Sequence, residues 1–165
     1  MLKIGIISDT HGYLNPKVKH HLKDVDEVWH AGDIGSLSVL EELKAICPVV
    51  RIVYGNIDDT LIRSETAEFL RFQVDNLEVL ITHIAGKPGN YSLPLKKELQ
   101  QNGTPNILVC GHSHILLVKM DRVSNMLWIN PGACGNKGFH KLCTMIMLEL
   151  DNGKPNNMRV IEWSL

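Results

Sequence analysis

The run Leu2-Lys3-Ile4-Gly5-Ile6-Ile7-Ser8-Asp9-Thr10-His11 decides the first element of the fold. Its apolar part, residues 2–8, is rich in β-branched side chains and predicts a buried strand. Two side chains that can bind divalent metals, Asp9 and His11, follow the strand directly. The chain therefore begins with a strand that delivers a carboxylate and an imidazole to its carboxyl end.

Four later apolar runs end in the same way. Gly32-Asp33 follows residues 27–31, Gly55-Asn56 follows residues 49–54, His83 follows residues 77–82, and Gly111-His112-Ser113-His114 follows residues 107–110. Ligand groups in an open α/β sheet cluster beyond the carboxyl ends of the strands, so these side chains are expected to meet. The pattern predicts a dinuclear metal centre with seven ligands: Asp9, His11, Asp33, Asn56, His83, His112 and His114.

The types of ligand in this set narrow the choice of metal. Imidazoles combined with carboxylates and an amide favour manganese, iron or zinc over calcium, which prefers oxygen alone. A carboxylate can bridge two cations, a role that suits Asp9 or Asp33. Each motif taken alone also occurs in helix caps, turns or half-buried histidines. The shared placement at strand ends favours the metal centre.

Helices and strands alternate along the first two thirds of the chain, and strands dominate the last third. Helices are predicted after Asn15-Pro16, after Ser36 as far as Pro48, and from Ser92 to Asn102-Gly103. Residues 67–74 and 77–82 predict a β-hairpin, residues 87–90 predict a loop, and further strands are expected at 107–110, 115–121, 126–129, 142–150 and 158–163. Two packed sheets with helices outside them would accommodate this order.

Length and composition are those of one globular domain, expected over residues 1–165. The net charge is −1, so a nucleic-acid partner is not expected. No apolar stretch approaches the roughly 20 residues of a membrane span, and the start shows no signal-peptide pattern, so a cytoplasmic protein without membrane contact is expected. Four cysteines without Cys-x-x-Cys spacing indicate free thiols.

In their order and spacing, the motifs resemble those of the calcineurin-like metallophosphoesterases. The phrases His30-Ala31-Gly32-Asp33 and Asn130-Pro131-Gly132 are similar to those of the small bacterial and archaeal phosphodiesterase branch. The resemblance extends to about residue 150 and implies an α/β (α+β) fold, a four-layer α-β-β-α sandwich with two mixed β-sheets. It also implies two divalent ions, manganese first, with iron, zinc or nickel as alternatives.

The resemblance further implies roles for individual residues. Asp9, His11 and His114 would hold one metal, Asn56, His83 and His112 the other, and Asp33 would bridge them. A hydroxide bridging both metals would attack a small phosphodiester or phosphoester, with Asn56 and His83 also touching the phosphoryl oxygens. Asp58 would either orient a ligand or be a solvated acid in a turn. Relatives suggest a homodimer or homotetramer.

One position departs from the family pattern. Many members carry a histidine directly after the Gly-Asn pair that assists the leaving group, and here Ile57 occupies that position. General-acid help is worth about 10²–10⁴-fold, so fast hydrolysis of alkyl phosphomonoesters is not expected. The alternative function is a catalytically weak, metal-binding scaffold that resembles the retromer subunit related to this family. A nuclease would need a basic groove, which the charge balance does not support.

Several polar residues outside the motifs are weaker candidates. Lys87, Tyr91, Lys137 and His140 lie in loops that could form a substrate rim. His20 and His21 are expected to be surface or packing residues, and the same is expected of His140 if it does not reach the rim. His30 precedes Gly32-Asp33 and could support a ligand or simply pack.

Overall fold

The computed structural model describes all 165 residues, which form four helices and twelve strands. The helices are α1 (Pro16–Leu22), α2 (Leu37–Ile46), α3 (Thr60–Glu65) and α4 (Leu93–Asn102). The strands are β1 (Leu2–Ile7), β2 (Glu27–His30), β3 (Val49–Ile52), β4 (Phe69–Val74), β5 (Leu77–Thr82), β6 (Gly86–Lys87), β7 (Asn90–Tyr91), β8 (Ile107–Val109), β9 (Leu116–Asp121), β10 (Met126–Pro131), β11 (Leu142–Asp151) and β12 (Lys154–Ser164).

Ten of the strands form two five-stranded mixed sheets. The first sheet has the order β12-β11-β1-β2-β3, and the second has the order β4-β5-β8-β10-β9. In the first, β1, β2 and β3 run parallel while β11 is antiparallel to β1 and β12 to β11. In the second, β5, β8 and β10 run parallel, with antiparallel β4 and β9 at the edges. The predicted pair of mixed sheets is confirmed.

Three apolar cores separate four layers. Ile6, Trp29, Ile81 and Val109 belong to the core between the two sheets. A second core joins the outer face of the first sheet to α1, α2 and α3, and a third joins the outer face of the second sheet to α4. The α-β-β-α sandwich is therefore confirmed. No helix combines the length and the apolar character needed to cross a bilayer.

The parallel strands position the candidate site. Strands β1, β2 and β3 end at one edge of the first sheet, and β5 and β8 end at one edge of the second. The loops that follow these five strands carry all seven predicted ligands. Because the two sheets pack face to face, the loops from both sheets come together at one end of the sandwich.

Several local predictions need correction. Helix α3 was not predicted, because six residues show too little periodicity; the Asp59 carboxylate caps it by accepting from the Ile62 amide at 3.0 Å. Residues 87–90 lie in the β6–β7 hairpin instead of an irregular loop. Strand β12 begins at Lys154 rather than 158, because Asn152-Gly153, both with positive φ, forms a tight turn that pairs β11 directly with β12.

Candidate metal centre

The seven predicted ligands meet at the end of the sandwich where the parallel strands terminate. Their backbone conformation there is unusual: Asp9, His11, Asp33, His112 and His114 all have positive φ, between 49° and 70°. Left-handed backbone is uncommon outside glycine, although aspartate and histidine adopt it more readily than most residues. The loops turn abruptly at these positions, which aims the side chains into one shared space.

One group of metal-binding atoms comes from Asp9, His11 and His114, whose candidate ligand atoms all lie within 4.8 Å of one another. Asp9 Oδ1 lies 3.2 Å from His114 Nε2 and 3.7 Å from His11 Nε2. Asp9 is fully buried, while both histidines are partly accessible. This group is the one that the family resemblance assigns to the first metal.

The second group comes from Asp33, His83 and His112, whose ligand atoms also lie within 4.8 Å of one another. Asn56 joins it, because its Oδ1 lies 3.0 Å from His112 Nδ1. His83 is almost fully buried, and its Nε2 lies 3.2 Å from Asp33 Oδ2. This group contains the residues assigned to the second metal.

Asp33 lies between the two groups. Its Oδ2 faces His83 Nε2 of the second group at 3.2 Å and His11 Nε2 of the first at 3.6 Å. Its other oxygen, Oδ1, accepts a hydrogen bond from the Ile57 amide at 3.1 Å, which fixes the orientation of the carboxylate. A bridging carboxylate would need this position.

Two glycines make the close approach of the loops sterically feasible. A Cβ at Gly55 would lie 2.0 Å from Asp33 Oδ1, and one at Gly111 would lie 2.8 Å from Asp9 Oδ2. Any side chain at either position would push the carboxylate away. The glycines of Gly55-Asn56 and Gly111-His112 are therefore required by packing against the carboxylates of other loops.

Hydrogen bonds to carbonyl oxygens fix the tautomers of two of the histidines. His83 Nδ1 lies 2.7 Å from the Ala31 carbonyl, which only accepts, so Nδ1 carries a proton and Nε2 faces the site. His140 Nε2 donates to the Gly135 carbonyl at 2.8 Å in the same way, which leaves its Nδ1 to accept from His114 Nδ1 at 3.2 Å. His114 Nε2 is then directed at Asp9. Metal-binding histidines are commonly held by such a bond on the other nitrogen.

Asp58 is buried and fixes the geometry of two ligand loops. Its Oδ2 accepts from the amides of Ile34 at 3.1 Å and Gly55 at 2.8 Å, and its Oδ1 accepts from the Gly35 amide at 2.8 Å. Since Ile34 follows Asp33 and Gly55 precedes Asn56, one carboxylate joins both loops. Asp58 is therefore a buried support of the two loops and not a solvated acid in a turn.

The electrostatics of the cluster couple carboxylates to imidazoles. Burial raises the pKa of Asp9, but the surrounding imidazoles of His11, His114 and His83 outweigh burial and hold it below its usual value. Burial lowers the pKa of His83, and Asp33 and Asp9 together reverse this and raise it. Asp9 also raises the pKa of His114. The carboxylates thus favour positive charge on His83 and His114. A divalent cation can replace the protons that carry this charge.

The fold is a two-sheet sandwich, and its seven convergent side chains form a candidate metal centre. A model of the calcineurin-like phosphoesterase superfamily domain matches residues 2–153, and the chain belongs to that superfamily. A phosphodiesterase from Methanocaldococcus jannaschii is 29% identical over 149 residues, which cover 81% of this chain and 84% of the relative.

Solved structures agree with this assignment of the fold. An archaeal phosphodiesterase matches with a TM-score of 0.76 at 26% identity, over 98% of this chain and 100% of the other. Vps29 from Chaetomium thermophilum matches with a TM-score of 0.75 at 13% identity, over 99% of both chains. The second likeness concerns the fold alone.

Some residues around the site carried little or no sequence signal. His140 was predicted to be a surface, packing or rim residue, whereas it contacts His114 directly. Ser8 donates to Asp9 Oδ2 at 2.7 Å, and buried His30 bonds Thr10 Oγ1 at 2.9 Å. Tyr91 was a rim candidate, but its hydroxyl bonds Asp121 and Ser124 away from the ligands. The contacts of His140 and His30 join segments that are distant in sequence, whereas Ser8 is the neighbour of Asp9 in the chain.

Proposed function

We propose that this protein hydrolyses phosphodiesters with two divalent ions, manganese first, held by the seven convergent residues. Asp9, His11 and His114 would hold one ion, Asn56, His83 and His112 the other, and Asp33 would contact both. The observation that carries the proposal is the position of Asp33 Oδ2, which faces an imidazole of each group within 3.6 Å.

The residues fit a pair of cations. Asp9 Oδ1, His11 Nε2 and His83 Nε2 are buried atoms without a hydrogen-bond partner, and all three are directed into the cluster. The basic side chains within 4 Å of the Asp9 and Asp33 carboxylates are all histidines, with no lysine or arginine among them. Buried polar groups without partners are costly, and a bound cation would satisfy them. The mixture of carboxylate, imidazole and amide suits manganese, iron or zinc.

When bound, the two ions would supply a hydroxide at neutral pH and withdraw charge from the phosphoryl oxygens. The chain's own residues orient the reaction. Asn56 and His83 would also touch the phosphoryl oxygens, and Asp58 holds the loops of Asp33 and Asn56 at a fixed separation. The Ile57 amide anchors Asp33, while its side chain, 47% exposed, offers no proton. The leaving group must then depart as an anion, which favours esters of acidic alcohols.

The experiment is hydrolysis of bis-p-nitrophenyl phosphate by the manganese-loaded protein. Wild type should release p-nitrophenol, and Asp33→Asn should abolish release because the amide cannot supply a bridging charge. His20→Asn is the matched control, since His20 is an exposed histidine on α1 outside the ligand set. Calorimetric titration of manganese should show wild type binding two ions and Asp33→Asn losing at least one. A wild type that binds both ions and hydrolyses none of several diesters would contradict the proposal.

A scaffold function is the second candidate, and Ile57 is the observation that favours it. An exposed isoleucine replaces the acid of the family pattern, and Ile84, which lines one cavity together with Asn56, is also exposed, by 42%. A surface of this kind suits contact with another protein better than proton transfer. The metal-loaded but inert outcome described above is the result that this candidate predicts.

A further inference from the structure

Two cavities adjoin the candidate metal centre, and they share no lining residue. The first, called the Tyr54 cavity, has a volume of about 300 Å³. The second, called the Phe139 cavity, has a volume of about 450 Å³. Each is within the size range of small-molecule sites. The Tyr54 cavity is lined by Asn56 and His83 of the ligand set, and the Phe139 cavity by His112 and His114.

The walls of the Tyr54 cavity are amphipathic and rigid. The Arg63 guanidinium stacks over the Tyr54 ring at 4.6 Å, and its Nε donates to the Asp58 carbonyl at 2.7 Å. Ile84 adds an apolar surface, and Glu68 adds an exposed carboxylate. A ring that carries hydroxyl or amino groups would match these walls, because its face can contact Tyr54 and Ile84 while its donors reach Glu68.

The Phe139 cavity is lined by three histidines and two apolar side chains, and both apolar side chains are unusually exposed. Phe139 is completely exposed, so its ring has no packing partner, and Ile115 is 67% exposed, so most of its side chain faces water. Gly138 brings the loop of Phe139 against the site, because a Cβ at Gly138 would lie 2.4 Å from His114 Nδ1. A large apolar side chain held in water beside two ligand residues is a surface that a flat, apolar group can cover.

We infer that the natural substrate is a phosphodiester with two ring-sized substituents, one in each cavity: an amphipathic ring beside Tyr54 and an apolar ring beside Phe139. The inference rests on the proposed function and deepens it. A phosphomonoester has one organic substituent and could fill only one of the two cavities. A diester presents an organic group on each side of phosphorus, and each of the two cavities opens beside its own pair of ligand residues.

The test compares two diesters that each carry one p-nitrophenolate leaving group, the bis-aryl ester phenyl p-nitrophenyl phosphate and methyl p-nitrophenyl phosphate, with each kcat/KM divided by the rate constant of that ester's uncatalysed alkaline hydrolysis. With both cavities in use, this normalised kcat/KM should be about tenfold higher for the bis-aryl ester, because only that ester places a ring in the second cavity. The shared leaving group removes any effect of the missing acid. Equal normalised kcat/KM for the two esters would overturn the inference, while p-nitrophenol release would still support the proposed function.

Two variants identify which cavity holds which substituent. Ile84→Ala trims the Tyr54 cavity and Phe139→Ala trims the Phe139 cavity; neither side chain is buried, so both variants should fold. One variant should lower kcat/KM for both esters several-fold, because it lines the leaving-group side. The other should lower it for the bis-aryl ester alone. Val123→Ala, at an exposed position beside a cavity without any ligand residue, is the control and should change neither.

A binding measurement keeps the inference testable without turnover. Diphenylphosphinate and methylphenylphosphinate have P–C bonds that cannot be hydrolysed, and calorimetry on the metal-loaded protein gives their Kd values. Diphenylphosphinate should bind about tenfold more tightly, and either cavity variant should reduce that preference. Equal affinities in wild type would contradict the two-cavity inference. Tight, ring-selective binding without hydrolysis of any diester would instead contradict only the proposed function.

Discussion

A buried carboxylate lies at each end of strand β2, and the two carboxylates differ in the side chains that surround them. At the start of the strand, Glu27 accepts from Trp29 Nε1 at 2.8 Å and from Arg51 Nε at 2.8 Å, so the chain supplies the cation. Beyond its end, Asp33 Oδ2 faces only the imidazoles of His83 and His11. At the Glu27 end of β2, the charge of the carboxylate is therefore balanced within the chain. At the Asp33 end, carboxylates and imidazoles come together for a cation from outside the chain.

The backbone shows the same difference. Glu27 and Arg51 lie in regular parallel strands with a continuous register. Five of the seven candidate ligands have positive φ instead. Strained conformations persist only where surrounding contacts fix them, and they concentrate at functional sites. The Asp58 bonds and the close contacts at Gly55 and Gly111 are the contacts that fix them here.

Manganese binding is expected to have the largest effect on the free energy of unfolding, and it tests the Asp33 end of β2 directly. At a free concentration a thousandfold above Kd, an ion that binds only the folded state should raise the free energy of unfolding by about 4 kcal/mol. Urea unfolding in manganese and in EDTA measures this difference. Asp9→Asn should lose most of it, while His20→Asn should keep it. Identical urea midpoints with and without manganese would show that the Asp33 end, like the Glu27 end, binds no cation from outside the chain.

Acid should destabilise the protein through His30, the last residue of β2, at the Asp33 end of the strand. His30 is fully buried and neutral; its Nδ1 accepts from the Gly32 amide at 3.0 Å, and burial lowers its pKa to about 4 despite nearby carboxylates. The unfolded chain takes up a proton near the ordinary pKa of 6.5, so stability falls as pH decreases from that value towards 4. The expected loss from this residue is about 3 kcal/mol.

Urea unfolding in EDTA across this pH range, in wild type and in His30→Gln, isolates the contribution of His30. Glutamine keeps a donor and an acceptor but does not titrate, so the variant should lose less stability in acid. The carboxylates that titrate in the same range are present in both proteins and cancel in the comparison. Parallel pH profiles for the two proteins would show that His30 is not the acid-sensitive group.

Arg51→Met should destabilise the Glu27 end of β2. It leaves the buried Glu27 carboxylate without its cation and removes the contact of the guanidinium with the Phe72 ring at 4.2 Å. Removing one partner of a buried pair costs about 3–5 kcal/mol, and the 28% exposure of the Arg51 side chain reduces this to about 2 kcal/mol. Adding Glu27→Gln to Arg51→Met should recover part of the loss. Manganese affinity should stay unchanged, since a change would show that the two ends are coupled.

The positions of most strands along the chain and the convergence of the candidate ligands could be predicted because both depend on local pattern. Each of Asp9, Asp33, Asn56, His83 and His112 follows an apolar run, and parallel strands bring the ends of such runs to one edge. The helix α4 was predicted correctly, from Ser92 through Asn102, because its cap and its terminal glycine are both local signals. Ser36 occupies the predicted cap position of α2, but its hydroxyl bonds Ser38 instead of the helix amides.

What could not be predicted depends on contacts between loops that are distant in sequence. Asp58 joins the loops of Asp33 and Asn56, and the sequence left its role open because a turn acid has the same local appearance. His140 lies 26 residues from His114, and no periodicity connects them. The Phe139 cavity likewise depends on contacts between segments, because Gly138 of its lining packs closely against His114. Such roles follow from packing, which a single sequence does not specify.

His140→Ala is expected to have the smallest effect, and it tests whether one imidazole orients His114 in the candidate metal centre. His140 Nδ1 accepts from His114 Nδ1, which keeps His114 Nε2 directed at Asp9. Without that acceptor the His114 ring can rotate, so manganese should bind about tenfold more weakly at the Asp9 group, as for other supports of metal-binding histidines. Calorimetric titration should show the loss at one of two sites only. His140→Asn, whose carbonyl can accept at the same place, should restore part of the affinity, and His21→Ala on α1 should have no effect. An equal loss in the alanine and asparagine variants would assign His140 a packing role instead of an orienting one.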